Sequence, residues 1–417
     1  MTGAWLIRQG RIVDPTQGWD QVGDVWIEGG QIHRVGFPLT EVPTGIPVWE
    51  GRGWVVGPGL VDLYAHSGTP GFEGRETIRS LATAALAGGF TRVGILPSTD
   101  PPLDHAGGMA VWQHPYPFPT PHWLPWGAYS QGSRLGPLLE LAAAGVVGFA
   151  EGQPLPELGF VRRLLDYAQV TAKPLLLWPR WESLAQGGVM QEGPWSRRLG
   201  LPGIPSSAET VAVAALLELA TATQTPLHLM RLSQARSLEL ISGSRLTAST
   251  TWMHLLLTDG DIGRCNYDAS LRLDPPLGTE SDRAALRGAV AAGRLVIATD
   301  HHAYTWEEKL VGFEAAPPGA VGLELALPLL WQHLVVPGIL SPLALWSALS
   351  TQPAQILGLE PPSLQPGSRA EVVVLDPERP WQVNHLYTLG QNTPWWGEQV
   401  RGQVLATWCG EQVWFRD

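Results

Sequence analysis

Cysteine, lysine and charge of either sign are all scarce in this chain of 417 residues. Two cysteines, Cys265 and Cys409, are too few for a disulfide framework or a thiolate zinc cluster, which suits a reducing cytoplasm. Lysine occurs only at Lys173 and Lys309, which constrains any lysine-based metal chemistry. Charged residues make up 16%, against about 25% in ordinary globular proteins. Acidic residues (38) outnumber basic ones (27), for a net charge of −11. Without Lys/Arg clusters to neutralise a row of phosphates, nucleic acid is not an expected partner. No stretch approaches the roughly 18 uninterrupted apolar residues of a membrane span. The start, MTGAWLIRQGRIVDP, lacks the apolar core of a signal peptide. The expectation is a soluble, cytoplasmic protein. No Gly-x-Gly-x-x-Gly fingerprint follows any apolar run, which argues against a dinucleotide-binding fold.

What is abundant is tryptophan, which occurs 20 times. Spare indoles on a charge-poor surface point to protein interfaces, with compositional drift as the plainer account. The length allows one large fold with an appendage or two to three domains. Residues 1–57 read as short strands without helices, with a hairpin signal at Gly29-Gly30. Residues 362–417 read the same way, turning at Gly410, so the two ends are expected to pair into one composite β-sandwich. Between them, over residues 58–361, eight apolar runs alternate with helical stretches. The runs are LVDLYAH, TRVGILPS, HWLPWGAYS, VVGFAE, KPLLLWP, PLHLMRLS, LTASTTW and RLVIATDHH. This α/β alternation fits a (β/α)8 barrel better than an open sheet, and in a barrel chemistry sits where the strands end.

Residues 55 to 71, VVGPGLVDLYAHSGTPG, resemble the first barrel strand of the dihydroorotase branch of the amidohydrolase superfamily, whose pattern is Pro-Gly-x-(Val/Ile)-Asp-x-His-x-His-x-Arg-x-Pro-Gly. The resemblance continues in order through FEGRETIRSLATAALAGGFTRVGILPSTDPPLD, GGVMQEGPWSRRLGLPGIPSSAE, RLDPPLGTESDR, VIATDHHAYTWEEK and NTPWWGEQVRGQVLAT. It implies a barrel plus a β-sandwich made from both ends, and an enzyme that reversibly cyclises carbamoyl aspartate to dihydroorotate in pyrimidine synthesis. It further implies metals held by a His-x-His pair on strand one, a carboxylate or carboxylated Lys on strand four, a His each on strands five and six and an Asp on strand eight. Such metals polarise the ring carbonyl and lower the pKa of a bound water, while the Asp moves its proton.

Taken position by position, this sequence departs from that pattern. The His-x-His pair reads Tyr64-Ala65-His66, so one imidazole is lost. On strand four Glu151 is the nearest carboxylate, in a register uncertain by one residue, and neither lysine can serve there. Trp178 stands for the His of strand five and Arg231 for that of strand six, and neither an indole nor a guanidinium offers a metal a lone pair. Asp300 is retained. His66, Glu151 and Asp300 would amount at most to one mononuclear zinc site, so no cofactor is expected unless that reduced site works. The substrate positions change too: Gly68 stands for an Arg, Ser98 and Asp100 for two Asn, Tyr304 for a His, and Asp274 and Gly278 for the Asn and Arg of an Asn-Pro-Pro-Leu-Arg loop. Arg231 could pair with Asp300 in place of the cations; charges about 4 Å apart attract by roughly 4 kcal/mol at an effective dielectric of ~20, before desolvation. His301 and His302 invite a ligand role by proximity, whereas His228 and His254 read as hydrogen-bonded scaffold. Ser233 has no evident His partner.

The resulting expectation is a catalytically inactive dihydroorotase homologue kept as an assembly partner, as a homo-oligomer and/or with aspartate transcarbamoylase. The alternatives are an active cyclic-amide hydrolase with one unusual metal and Asp300 as base, and a metal-free binder of small acids.

Overall fold

In the computed structural model, which describes residues 3–40 and 45–416, Gly29 and Gly30 take φ of 57° and 73°. Two consecutive left-handed residues are what a tight hairpin needs, and only glycine adopts them freely. They join the antiparallel strands Trp19–Glu28 and Gln31–Gly36. The strand Ala4–Asp14 pairs antiparallel with the first of these, and on its other side with Val48–Glu50 and Val55–Pro58. Val55–Pro58 then pairs with Glu371–Gln382, which pairs with Gln399–Cys409 and, beyond it, Gln412–Phe415. Strands from both ends of the chain thus form one eight-stranded sheet. It has a buried cluster of its own, including Ile12, Val25, Val56, Val372 and Trp408.

The rest of the described chain is α/β. Parallel pairing runs from Leu60–Ala65 to Phe90–Ile95 to His122–Pro125. A single residue, Phe149, bridges next to Leu175–Leu177, followed by Leu227–Leu229, Thr247–Thr251 and Val296–Ala298. The last segment returns to the first: His66 N–H donates to His301 O at 2.8 Å, and Thr299 N–H to the Asp62 carboxylate at 2.8 Å. Burial pushes that carboxyl up to about 7. The helical stretches form as the sequence suggests, among them Ile78–Ala87 and Glu280–Ala291, each opened by a threonine capping box.

The large sheet is anchored to this body by Arg92 paired with Glu371 and by Thr407 Oγ1–H donating to Leu86 O at 2.6 Å. Packing at the junction leaves no slack. A Cβ at Gly57 would lie 2.3 Å from the Trp346 ring, whose Nε1–H donates to Pro58 O. The tryptophans sit at different depths. Among the described residues Trp306, 58% exposed, is the only exposed tryptophan, and the rest are buried or half-buried, as in the packed group of Trp5, Trp49, Trp408 and Phe415. Indole abundance here fills cores, where large rings bury much area.

Candidate functional site

The carboxyl ends of the parallel strands converge on a small cavity of about 160 Å³, lined by His66, Trp178, Arg231, Asp300, His302 and Tyr304 among others. Small-molecule sites usually measure about 300–1,000 Å³. The guanidinium of Arg231 stands at its centre. Nη2 donates to Asp300 Oδ1 at 2.6 Å and to His66 Nε2 at 3.1 Å, and Nη1 to Gly152 O at 2.8 Å. The same guanidinium packs over the Trp178 ring, 4.9 Å from its centroid, a cation–π contact in a desolvated setting. Trp178 also faces Arg180, at 5.1 Å, whose guanidinium pairs with Asp274.

These bonds fix proton positions. A guanidinium can only donate, so His66 Nε2 accepts and Nδ1–H donates to Ser98 Oγ at 2.7 Å. His66 is therefore neutral, in agreement with burial, and then the Arg231 charge, holding it well below the ordinary range. Its ring stacks on that of His302, centroids 3.8 Å apart, and burial also keeps His302 well below the ordinary range. Asp300 is raised by burial and opposed by Arg231. Burial would lower Arg231, but Asp300 more than compensates, so the pair is read as charged. Both partners sit at strand ends in the left-handed region, Arg231 at φ 61° and Asp300 at φ 49°. Such conformations in non-glycine residues cost energy and persist only where surrounding contacts enforce them.

Below the ion pair lies a second chain of contacts. Arg231 N–H donates to Tyr64 Oη at 3.1 Å, Tyr64 Oη lies 2.9 Å from Ser249 Oγ, and Ser249 Oγ lies 2.9 Å from His228 Nε2. His228 Nδ1 in turn lies 2.9 Å from Thr247 Oγ1. Tyr64 thus fills the place of an imidazole with a hydroxyl satisfied on both sides. Burial drives His228 down to about 3, whereas in the unfolded chain it titrates near ~6.5. As pH falls below that value the unfolded chain takes up a proton that the folded one refuses, so stability is lost. We expect the stability advantage of the native protein over His228→Gln to shrink by about 1.4 kcal/mol per pH unit between about pH 6 and about pH 4, measured by urea denaturation. An unchanged gap would show that His228 is not held neutral.

Several expected residues are placed elsewhere. Glu151 turns away from the cavity: its carboxylate accepts from Ser130 N–H at 2.7 Å and from Tyr129, and the neighbouring Gly152 carbonyl takes its place beside Arg231. His301 is fully buried on the far side of the strand, bonded to Glu76 and to Gly322 N–H. His254 bridges Thr251 and Pro276 O. Ser233 Oγ–H donates to Glu209 at 2.6 Å and accepts from Gln234 at 3.2 Å. Gly68 admits no side chain, since a Cβ would lie 2.3 Å from Glu76 O. Asp100 is exposed, and Gly278 lies under Asp282 outside the cavity. Tyr304 lines the cavity and donates to Pro318 O at 3.1 Å. Lys173 and Lys309 do not line it. Arg180 with Asp274, and the stacking of His302 on His66, were not anticipated. The Trp178-Pro179-Arg180 run that ends strand five was the available signal for the first.

The donor set does not suit a metal. His66 Nε2 and Asp300 Oδ1, 3.9 Å apart, share the same guanidinium nitrogen as partner, and no group of three or more His, Cys, Asp or Glu among the described residues could hold one.

Comparison with known proteins gives the ancestry. The chain is 40% identical to a probable dihydroorotase-like protein of Synechocystis sp., over 95% of this chain and 98% of that one. It is 37% identical to a dihydroorotase of Pelotomaculum thermopropionicum, over 99% and 98%. The chain belongs to the dihydroorotase family. No family model matches it. Within the amidohydrolase superfamily the fold is shared with an L-hydantoinase from Arthrobacter aurescens (TM-score 0.84, 20% identity, 98% of this chain and 95% of that one) and a D-hydantoinase from Thermus sp. (TM-score 0.81, 22%, 99% and 95%). No helix among the described residues of this dihydroorotase-family chain is long and apolar enough to cross a membrane.

Proposed function

We infer that this chain is a dihydroorotase-family protein of pyrimidine biosynthesis that does not catalyse metal-assisted ring opening and serves instead as an assembly partner. The names of its relatives support the cyclic-amide class of reaction. The observation that carries inactivity is the Arg231 guanidinium, bonded at once to Asp300, His66 and Gly152. It supplies in fixed form the positive charge a cation would bring, yet it cannot bind or acidify water as a metal does. No cofactor is therefore proposed. In this reading the eight parallel segments are a (β/α)8 barrel over residues 58–361. Residues 1–57 and 362–417 make the second, β-sandwich domain. The partner is a second copy of the chain and/or aspartate transcarbamoylase, in the cytoplasm. The glycines and turns at Gly88-Gly89, Gly187-Gly188 and Pro202-Gly203, present as in the family pattern this sequence resembles, support a scaffold role.

The test is dihydroorotate ring opening and closure by the purified protein, with and without added zinc, beside an Asp300→Ala control. The expected result is the same background rate in all samples, with co-elution of aspartate transcarbamoylase or a defined oligomer on gel filtration. Zinc-dependent turnover lost in Asp300→Ala would establish the alternative, an active hydrolase with a reduced mononuclear site, and overturn the inference.

A further inference from the structure

At the opposite end of the parallel strands, where they begin, lies a cleft of about 890 Å³. It is separate from the cavity at the strand ends: His122 opens the strand His122–Pro125, and Lys173 precedes Leu175–Leu177. Its lining includes the aromatic residues Trp112, Tyr116 and Trp123, with Ile356. Trp112 and Trp123 meet edge to face at 5.7 Å.

The charge on this lining is one-sided. In a chain of net charge −11, no aspartate or glutamate lines the cleft, whereas Lys173 does. Lys173 is one of two lysines in the protein, and among the described residues its half-buried ammonium has neither an ion pair nor a hydrogen bond. Burial without a counter-charge pulls Lys173 below the ordinary lysine range, a cost that a bound anion would remove. Aromatic walls with a few convergent polar groups are the usual make-up of a small-molecule site, and the volume falls within the usual range of about 300–1,000 Å³.

We propose that this cleft binds a small organic anion with a flat aromatic body, such as an aryl phosphate or aryl carboxylate, with Lys173 pairing the charge and the aromatic lining packing on the ring. The site is independent of the reading of the strand-end cavity. One unpaired ammonium and no acid favour an anion, and an aromatic lining favours a ring, which gains offset or edge-to-face contacts, over a branched aliphatic body.

The test is titration of the full-length protein, labelled at the indole nitrogens, with phenyl phosphate, benzoate and, as a neutral control, benzyl alcohol. The Trp112 and Trp123 resonances are assigned through Trp112→Phe and Trp123→Phe. Both anions are expected to shift these resonances saturably and benzyl alcohol to bind at least about tenfold more weakly. Lys173→Gln should weaken the anions about tenfold or more without changing the alcohol, and Lys173→Arg should retain binding. Phenyl phosphate tighter than benzoate assigns the phosphate class, and the reverse the carboxylate. No saturable shift, equal binding of the neutral control, or anion affinity unchanged in a folded Lys173→Gln protein would each overturn the proposal.

Discussion

Asp300→Ala should destabilise the protein by about 3–5 kcal/mol, because it leaves the Arg231 guanidinium buried without its counter-charge. The side chains of Arg231 and Asp300 are 5% and 15% exposed, so water cannot readily replace the lost carboxylate. His66 offers only a neutral acceptor, and Arg231 Nε already lacks a partner. The pair itself need not be stabilising, since desolvation of both charges offsets their attraction. Removing both partners therefore distinguishes pairing from packing. The double variant Arg231→Met/Asp300→Ala should recover most of the loss, with a coupling of at least about 1 kcal/mol in a double-mutant cycle by urea denaturation. Additive losses would show that Arg231 and Asp300 are not each other's compensation.

Restoring imidazoles at three positions should create a metal site where Arg231 now engages His66 and Asp300. With Tyr64→His, Trp178→His and Arg231→His, the guanidinium that occupies His66 and Asp300 is gone, and up to five imidazoles, with His66 and His302, and a carboxylate face the cavity. Three protein ligands and an open position suffice for zinc. The variant is expected to retain about one zinc per chain after dialysis, and at a zinc concentration about 1,000 times Kd to gain about 4 kcal/mol of stability. The native protein should gain nothing at this site. Tyr64 is fully buried and hydrogen-bonded to Ser249, so the pair Trp178→His/Arg231→His, which leaves that core intact, serves as the second variant. Tight stoichiometric zinc in the native protein would refute the displacement of metal by Arg231. A folded variant that ignores zinc would show that these positions do not converge as ligands.

Much of this could be read from residue order. The turn at Gly29-Gly30, the parallel segments and their helices, and the strand-end positions of Tyr64, His66, Trp178, Arg231 and Asp300 follow from periodicity and resemblance. So does the Arg231–Asp300 pair, since a buried carboxylate deprived of cations needs a nearby positive charge. The register around the fourth segment was not legible. It is a strand of one bridging residue, Phe149, and with so little pairing the sequence cannot say whether Glu151 or the Gly152 carbonyl faces inward. The direction of His301 was equally hidden, because the left-handed φ of Asp300 reverses the ordinary alternation of side chains just before it. Nor does composition tell which of the tryptophans are buried and which only half-buried.

The sequence by itself determined the family, the α/β order of elements and the loss of imidazoles at three of the expected ligand positions, because these depend on residue identity and local period. Only the tertiary structure decided that the vacated centre is closed by one guanidinium shared among Asp300, His66 and Gly152. That arrangement depends on backbone angles at three strand ends far apart in the chain, which are set jointly by the packing of all the parallel segments.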